Sequence, residues 1–156
     1  MTRDHLSTVA EFFDRDLAAM AWEVEAIPES MLWSTVPGVT NPVGTLALHV
    51  CGNLRHFVGA ELGGDGYVRD RDAEFARRDW SRERVIEEIE TTRAVVRERL
   101  GSLDEARLAE PMPSPPERYA GCTVAWFLAQ LTTHLAWHLG HANYLRRILT
   151  AGNATD

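Results

Sequence analysis

From Phe127 to Ile148 the chain steps by alternating fours and threes through Phe127, Leu131, His134, His138, His141, Leu145 and Ile148. That spacing keeps side chains on one face of an α-helix. It predicts a long closing helix from about Thr123 to Thr150, stopped at Gly152, with three histidines in succession along its inward seam.

Three other stretches carry the same rhythm. Leu6, Val9, Phe13, Leu17, Met20, Val24 and Ile27 predict a first helix that runs to Pro28. Asn41 before Pro42 reads as a helix start, the Asn capping free amides and the Pro suited to the first helical position. The helix that follows carries Leu46, His49, Val50, Leu54, Phe57 and Val58 inward and stops at Gly63-Gly64, with Gly52 and Gly59 each weakening it modestly. Ser81 and Glu83 open a helix striped by Val85, Ile89, Val96, Leu100 and Leu103.

Between these lie irregular connections. Residues 28–40 contain Pro37-Gly38, with one short turn expected around Met31 to Trp33. Asp65 to Trp80 reads as an excursion across the bundle pinned by Tyr67, Phe75 and Trp80. Pro111, Pro113, Pro115 and Pro116 exclude regular helix from Glu110 to Arg118. Four amphipathic helices, no period-two pattern and two long connections predict an all-α fold, a four-helix bundle with crossovers, as a single domain over residues 1–156.

Composition agrees. Over 156 residues the chain is 45% hydrophobic and 25% charged, the balance of a globular protein. A formal net charge of −7 argues against nucleic acid or an anionic membrane surface as a partner. The arginines from Arg69 to Arg84 are interleaved with Asp70, Asp72, Glu74, Asp79 and Glu83 and read as a solvated, ion-paired segment. Cys51 and Cys122 are too few for a disulfide framework, and no apolar run reaches the roughly 20 residues that cross a bilayer. A polar N-terminus adds to the expectation of a cytoplasmic protein.

The histidines carry the chemistry. Residues four apart lie one turn along the same face, so His134 and His138 can aim their rings at one point. His49, on the helix beginning near Pro42, can complete a three-nitrogen site for a divalent metal, leaving an open position of the catalytic kind. Taken singly, a core histidine is more often neutral and hydrogen-bonded without any ion. Three in succession with few acids nearby are satisfied more economically by one ion.

His134 and His141 lie roughly 10 Å apart along the axis, too far to share an ion. His141, one turn beyond His138, is the natural alternative ligand; with His134 and His138 taken as the pair, it is left behind the ligands, facing substrate, or as a catalytic base. His56 and His5 are expected to be non-ligands, and Cys51, about 200° around the helix from His49, a buried structural thiol, as is Cys122. Arg146 and Arg147 read as offsetting the negative end of the last helix.

These residues resemble a known family. The run H-L-A-W-H-L-G-H-A-N-Y-L-R-R-I-L from His134 to Leu149 is similar to the closing helix of DinB/YfiT-like proteins, with His141 where that family commonly has Gln. The stretch G-T-L-A-L-H-V-C-G-N-L-R-H-F-V aligns the family's first histidine with His49, and R-D-R-D-A-E-F-A-R-R-D from Arg69 to Asp79 is also similar. The resemblance implies a down-up-up-down bundle, zinc or nickel on three histidines, and a homodimer. It further implies transferases or isomerases using a low-molecular-weight thiol such as bacillithiol, mycothiol or glutathione.

Three functions compete at this level. The first is a metal-dependent transferase in which the ion binds a small thiol and lowers its pKa. The second is a metallohydrolase that acidifies water, with His141 as the base. The third is a non-catalytic metal or small-ligand binding module with an aromatic lining from Trp33, Phe57 or Trp137.

Overall fold

The structure is a computed structural model and describes residues 4–151. Five α-helices are present among them: α1 (His5–Ala26), α2 (Val43–Leu54), α3 (Arg71–Ala76), α4 (Arg82–Ser102) and α5 (Val124–Ala151). The four long ones form a helical bundle in which α1 and α2 each pack against both α4 and α5. The only pairing of β type among the described residues is an isolated bridge between Pro111 and Thr123.

Two of the long helices, α1 and α4, begin where the chain supplies a side-chain cap. Asp4 accepts from the Ser7 amide ahead of α1, and Ser81 accepts from the Arg84 amide ahead of α4. Along α1 the expected stripe from Leu6 to Val24 is buried, and it continues to Ile27, whose extended backbone ends the helix before Pro28. On α4 the buried stripe is Val85, Ile89, Thr92, Val96 and Leu100, with the Thr92 hydroxyl donating back to the Glu88 carbonyl.

The second helix departs from expectation at its start and in the winding of its second half, and it stops at Gly63 as expected. Pro42, not Asn41, occupies the cap position and makes no side-chain bond, so α2 begins at Val43. The Gly44 amide instead donates to the Leu32 carbonyl, just beyond a short 3₁₀ turn at Glu29–Met31. A neighbouring connection thus does the work assigned to Asn41. Beyond Leu54 the same rod continues as a π-helix, Arg55–Leu62. Such a wide-turn segment shifts the phase of the following side chains and is commonly found beside functional sites. It carries Phe57 into the core.

The connection after α2 holds an element that the sequence periodicity did not predict. Asp70 accepts from the Ala73 amide and caps α3, which packs directly on α2. As α4, α5 and α3 surround α2, nearly every one of its residues is buried.

On α5 the seam is displaced from the one expected. The buried residues are Val124, Phe127, Leu128, Leu131, Leu135, Ala142 and Leu145. His141 is exposed and Ile148 is 53% exposed. A long helix in fours and threes offers two adjacent stripes, and the leucine stripe enters the core because it buries more apolar surface. His134 and His138 are left on its flank, half-buried and turned toward α2. No helix among the described residues is long and apolar enough to cross a membrane.

Candidate metal centre

His49 on α2 and His134 and His138 on α5 converge on one point. Nε2 of His134 lies 3.3 Å from Nε2 of His49 and 3.1 Å from Nε2 of His138. One ligand nitrogen from each ring lies within 4.8 Å of the other two. An ion held tetrahedrally at about 2.0–2.1 Å sets its nitrogens about 3.3–3.4 Å apart, so these two edges are of the length a shared divalent cation requires.

Proton bookkeeping points the same way. His49 directs Nδ1 at a Glu74 carboxylate oxygen 3.1 Å away. Burial alone would raise the Glu74 carboxyl, but the hydrogen bonds from Arg69 and His49 hold it below the usual carboxylate range. An ionised carboxylate only accepts, so Nδ1 of His49 carries the proton and its Nε2 presents a lone pair to the cluster. Burial, followed by the field of the other rings, pushes His134 down to about 3 and His138 down to about 4. Both are therefore neutral near pH 7, the state a metal requires.

Glu74 is the feature that sequence reading missed. It is 6% exposed and gripped by Arg69, whose Nε and Nη2 donate to its two oxygens at 2.6 and 2.8 Å. The segment read as solvated and ion-paired is thus ion-paired but not solvated at Arg69 and Glu74. Its carboxylate fixes the orientation of the His49 ring, as the outer partners of metal-bound histidines do. Phe75, the next residue of α3, packs against the His49 ring with centroids 4.9 Å apart.

Gly52 makes room for this arrangement. A Cβ there would lie 1.9 Å from Oε1 of Glu74, so any side chain would push the carboxylate off α2. Glycine inside an otherwise buried helix is a signal of close approach. Read that way, Gly52 would have pointed to a partner packed across α2 one turn from His49.

The remaining expected residues divide. His141 does not join the three nitrogens; its ring centroid is 6.1 Å from that of His138 and it lines a neighbouring pocket. That pocket, about 410 Å³, is bounded by Leu46, His138, His141, Tyr144, Leu145 and Ile148. A second cleft of about 590 Å³ opens on His49 and His134 and is lined with Phe57 and by arginines. His56 is half-buried against Phe57, away from the cluster, and His5 is exposed.

Cys51 is fully enclosed, and burial pushes its thiol up to about 12, which leaves it inert. Trp33 is a packing residue whose ring fills the space above Gly44 and whose indole donates to the Trp80 carbonyl, while Trp137 is 67% exposed. Arg146 has a more specific role than offsetting a helix dipole. It pairs with the buried Glu23 of α1, which Asn143 also bonds at 2.7 Å.

Comparison with known proteins supports the family and supplies no reaction. No functionally curated protein matches the chain. The family model of the DinB superfamily matches residues 13–142, a span that contains His49, Glu74, His134 and His138. The chain belongs to the DinB superfamily.

Proposed function

We propose that His49, His134 and His138 bind a divalent metal, zinc or nickel, and that the protein is a metal-dependent transferase that joins a low-molecular-weight thiol to a small electrophile. The observation that carries this reading is the meeting of three imidazole nitrogens at 3.1 and 3.3 Å, one ring of which is braced by an ionised carboxylate. When bound, the metal would lower the pKa of a thiol or a water held beside it.

The chain's own groups account for the rest. Glu74 keeps the proton of His49 on Nδ1, and Arg69 keeps Glu74 charged. The pocket beside His138 offers an apolar body of about 410 Å³ for the electrophile, and His141 at its edge can take the proton a thiol releases as a carbon–sulfur bond forms and a leaving group departs. Cys51 is buried with an inert thiol and Cys122 lines neither pocket beside the histidines, so in this reading the sulfur comes from outside the chain. Membership of the DinB superfamily favours this chemistry through the thiol-using relatives that its motifs resemble. We place the reaction in the cytoplasm, where such thiols are held reduced, and expect a homodimer.

A second reading, metal-dependent hydrolysis, has its own observation. Glu117 lines the cleft that opens on His49 and His134, and in this reading it serves as the base for water. One assay separates the two. Metal-loaded protein is given 1-chloro-2,4-dinitrobenzene with glutathione, bacillithiol or mycothiol, and in parallel p-nitrophenyl acetate without thiol. Thiol-dependent release of chloride that disappears in His134→Ala supports the transferase. Ester cleavage without thiol that falls in Glu117→Gln supports the hydrolase.

A further inference from the structure

In a chain with 23 acidic residues against 16 basic ones, most arginines find a carboxylate. Among the described residues four arginines, Arg71, Arg78, Arg118 and Arg147, have no acid within ion-pair distance. Of these, the exposed Arg71 and Arg118 line one cleft of about 590 Å³, with His49 and His134 in its wall. They come from separate connections, Arg71 from the first turn of α3 and Arg118 from the proline-rich stretch before α5. Arg69, the third arginine of the cleft, is already neutralised by Glu74.

Each unpaired guanidinium is held by its face. Arg71 stacks over Phe75 at 4.9 Å and Arg118 over Tyr119 at 4.7 Å. Stacking uses the flat face of the group and leaves its N–H edge for an in-plane acceptor, the geometry that favours a carboxylate or phosphate fork. Phe75 also touches the His49 ring, so Arg71 is tied to the candidate metal centre through one side chain. Nearby, Oδ1 of Asn53 is buried without a hydrogen-bond partner and belongs to a residue lining the same cleft. It calls for a donor, which an amide or hydroxyl of a ligand can supply. The one acid of the lining, Glu117, is exposed and makes no ion pair with either arginine.

We propose that this cleft is an anion-recognition subsite: Arg71 and Arg118 hold the carboxylate or phosphate oxygens of a co-substrate whose reacting atom is presented at His49 and His134. The inference rests on the reading that small-molecule chemistry occurs at the three histidines. Within that reading it favours a charged, acid-bearing thiol over a neutral one.

The test avoids both metal and thiol, so that its failure is separable from failure of the proposed function. Metal-stripped full-length protein, ¹⁵N-labelled, is titrated with succinate, with inorganic phosphate and with neutral succinamide, and amide and Asn53 side-chain shifts are followed. The wild type is compared with Arg71→Gln, Arg118→Gln, the double variant, and Arg147→Gln as an exposed arginine outside the cleft. Saturable shifts at Asn53 and around His134 are expected with succinate or phosphate and not with succinamide. Each cleft variant should raise the dissociation constant about tenfold, the loss of one charge-assisted hydrogen bond, while Arg147→Gln leaves it unchanged. The relative affinity of the two anions identifies the group recognised. No saturation with either anion, or binding that survives the double variant in protein whose spectrum is otherwise native, would overturn the proposal. Anion binding together with absence of thiol-dependent turnover would leave the subsite standing and remove the transferase.

Discussion

The closing helix α5 and the connection from Asp65 to Trp80 contribute to the same centre, yet they are written in different languages. α5 supplies His134 and His138 by local periodicity, since two rings four residues apart must share a face. The connection supplies Glu74 and Arg69 by tertiary contact, around a short helix with no apolar repeat and with charges of both signs at half of its positions. A metal's ligands can thus be legible while the groups that orient them are hidden. Helical spacing is a property of one segment, whereas a carboxylate behind a histidine is a property of two.

The largest effect should come from breaking the hidden half. Glu74→Ala strands the largely buried Arg69 without its partner and releases the His49 ring. Removing one member of a buried pair costs about 3–5 kcal/mol, which urea unfolding of the metal-free protein would register. The same variant should bind metal about 10- to 100-fold more weakly in competition titrations. Unchanged metal affinity would mean that Glu74 holds the fold and not the site.

Gly52→Ala sharpens the comparison because local and tertiary arguments disagree in sign. Helix propensity alone promises about 1 kcal/mol of added stability. The Cβ would displace the Glu74 carboxylate, so stability should fall and metal affinity should drop about tenfold. A more stable protein with intact metal binding would favour the local argument.

Acidification probes the α5 half. His134 and His138 sit at about 3 and about 4 in the folded chain, against about 6.5 when unfolded. The unfolded state therefore takes up protons first as pH falls. Stability from these groups is complete above about pH 6.5 and is lost progressively down to about pH 3–4. Denaturant midpoints of the metal-free protein measured over that range should decline with pH, and His134→Gln should flatten the decline.

The smallest effect is expected at His141. Too far along α5 to reach an ion shared by His134 and His138, it should change metal affinity by less than about twofold when replaced by Ala. A larger loss would return it to the ligand set.

The sequence made the four long helices legible, because their apolar residues repeat in threes and fours and two of the rods end at Pro28 and Gly63; the stop expected at Gly152 lies outside the described residues. What it hid has physical causes. The start of α2 moved to Val43 because the Leu32 carbonyl, not the Asn41 side chain, satisfies its first turn. Which of two adjacent stripes on α5 enters the core depends on its neighbours, so His141 read as inward and lies outward. Arg146 read as a helix-end charge because Glu23, its partner, lies on α1 at the other end of the sequence.

The central claim is that three histidines hold one ion, and metal content tests it most directly. Protein purified without chelator or metal-affinity resin would be analysed for its elements beside His49→Ala, His134→Ala and His138→Ala. About one zinc or nickel per chain in the wild type, lost in all three variants whose helical spectra are retained, is the expected result. A wild type that carries no metal and takes up none on titration would contradict the account and leave the histidines as a hydrogen-bonded cluster.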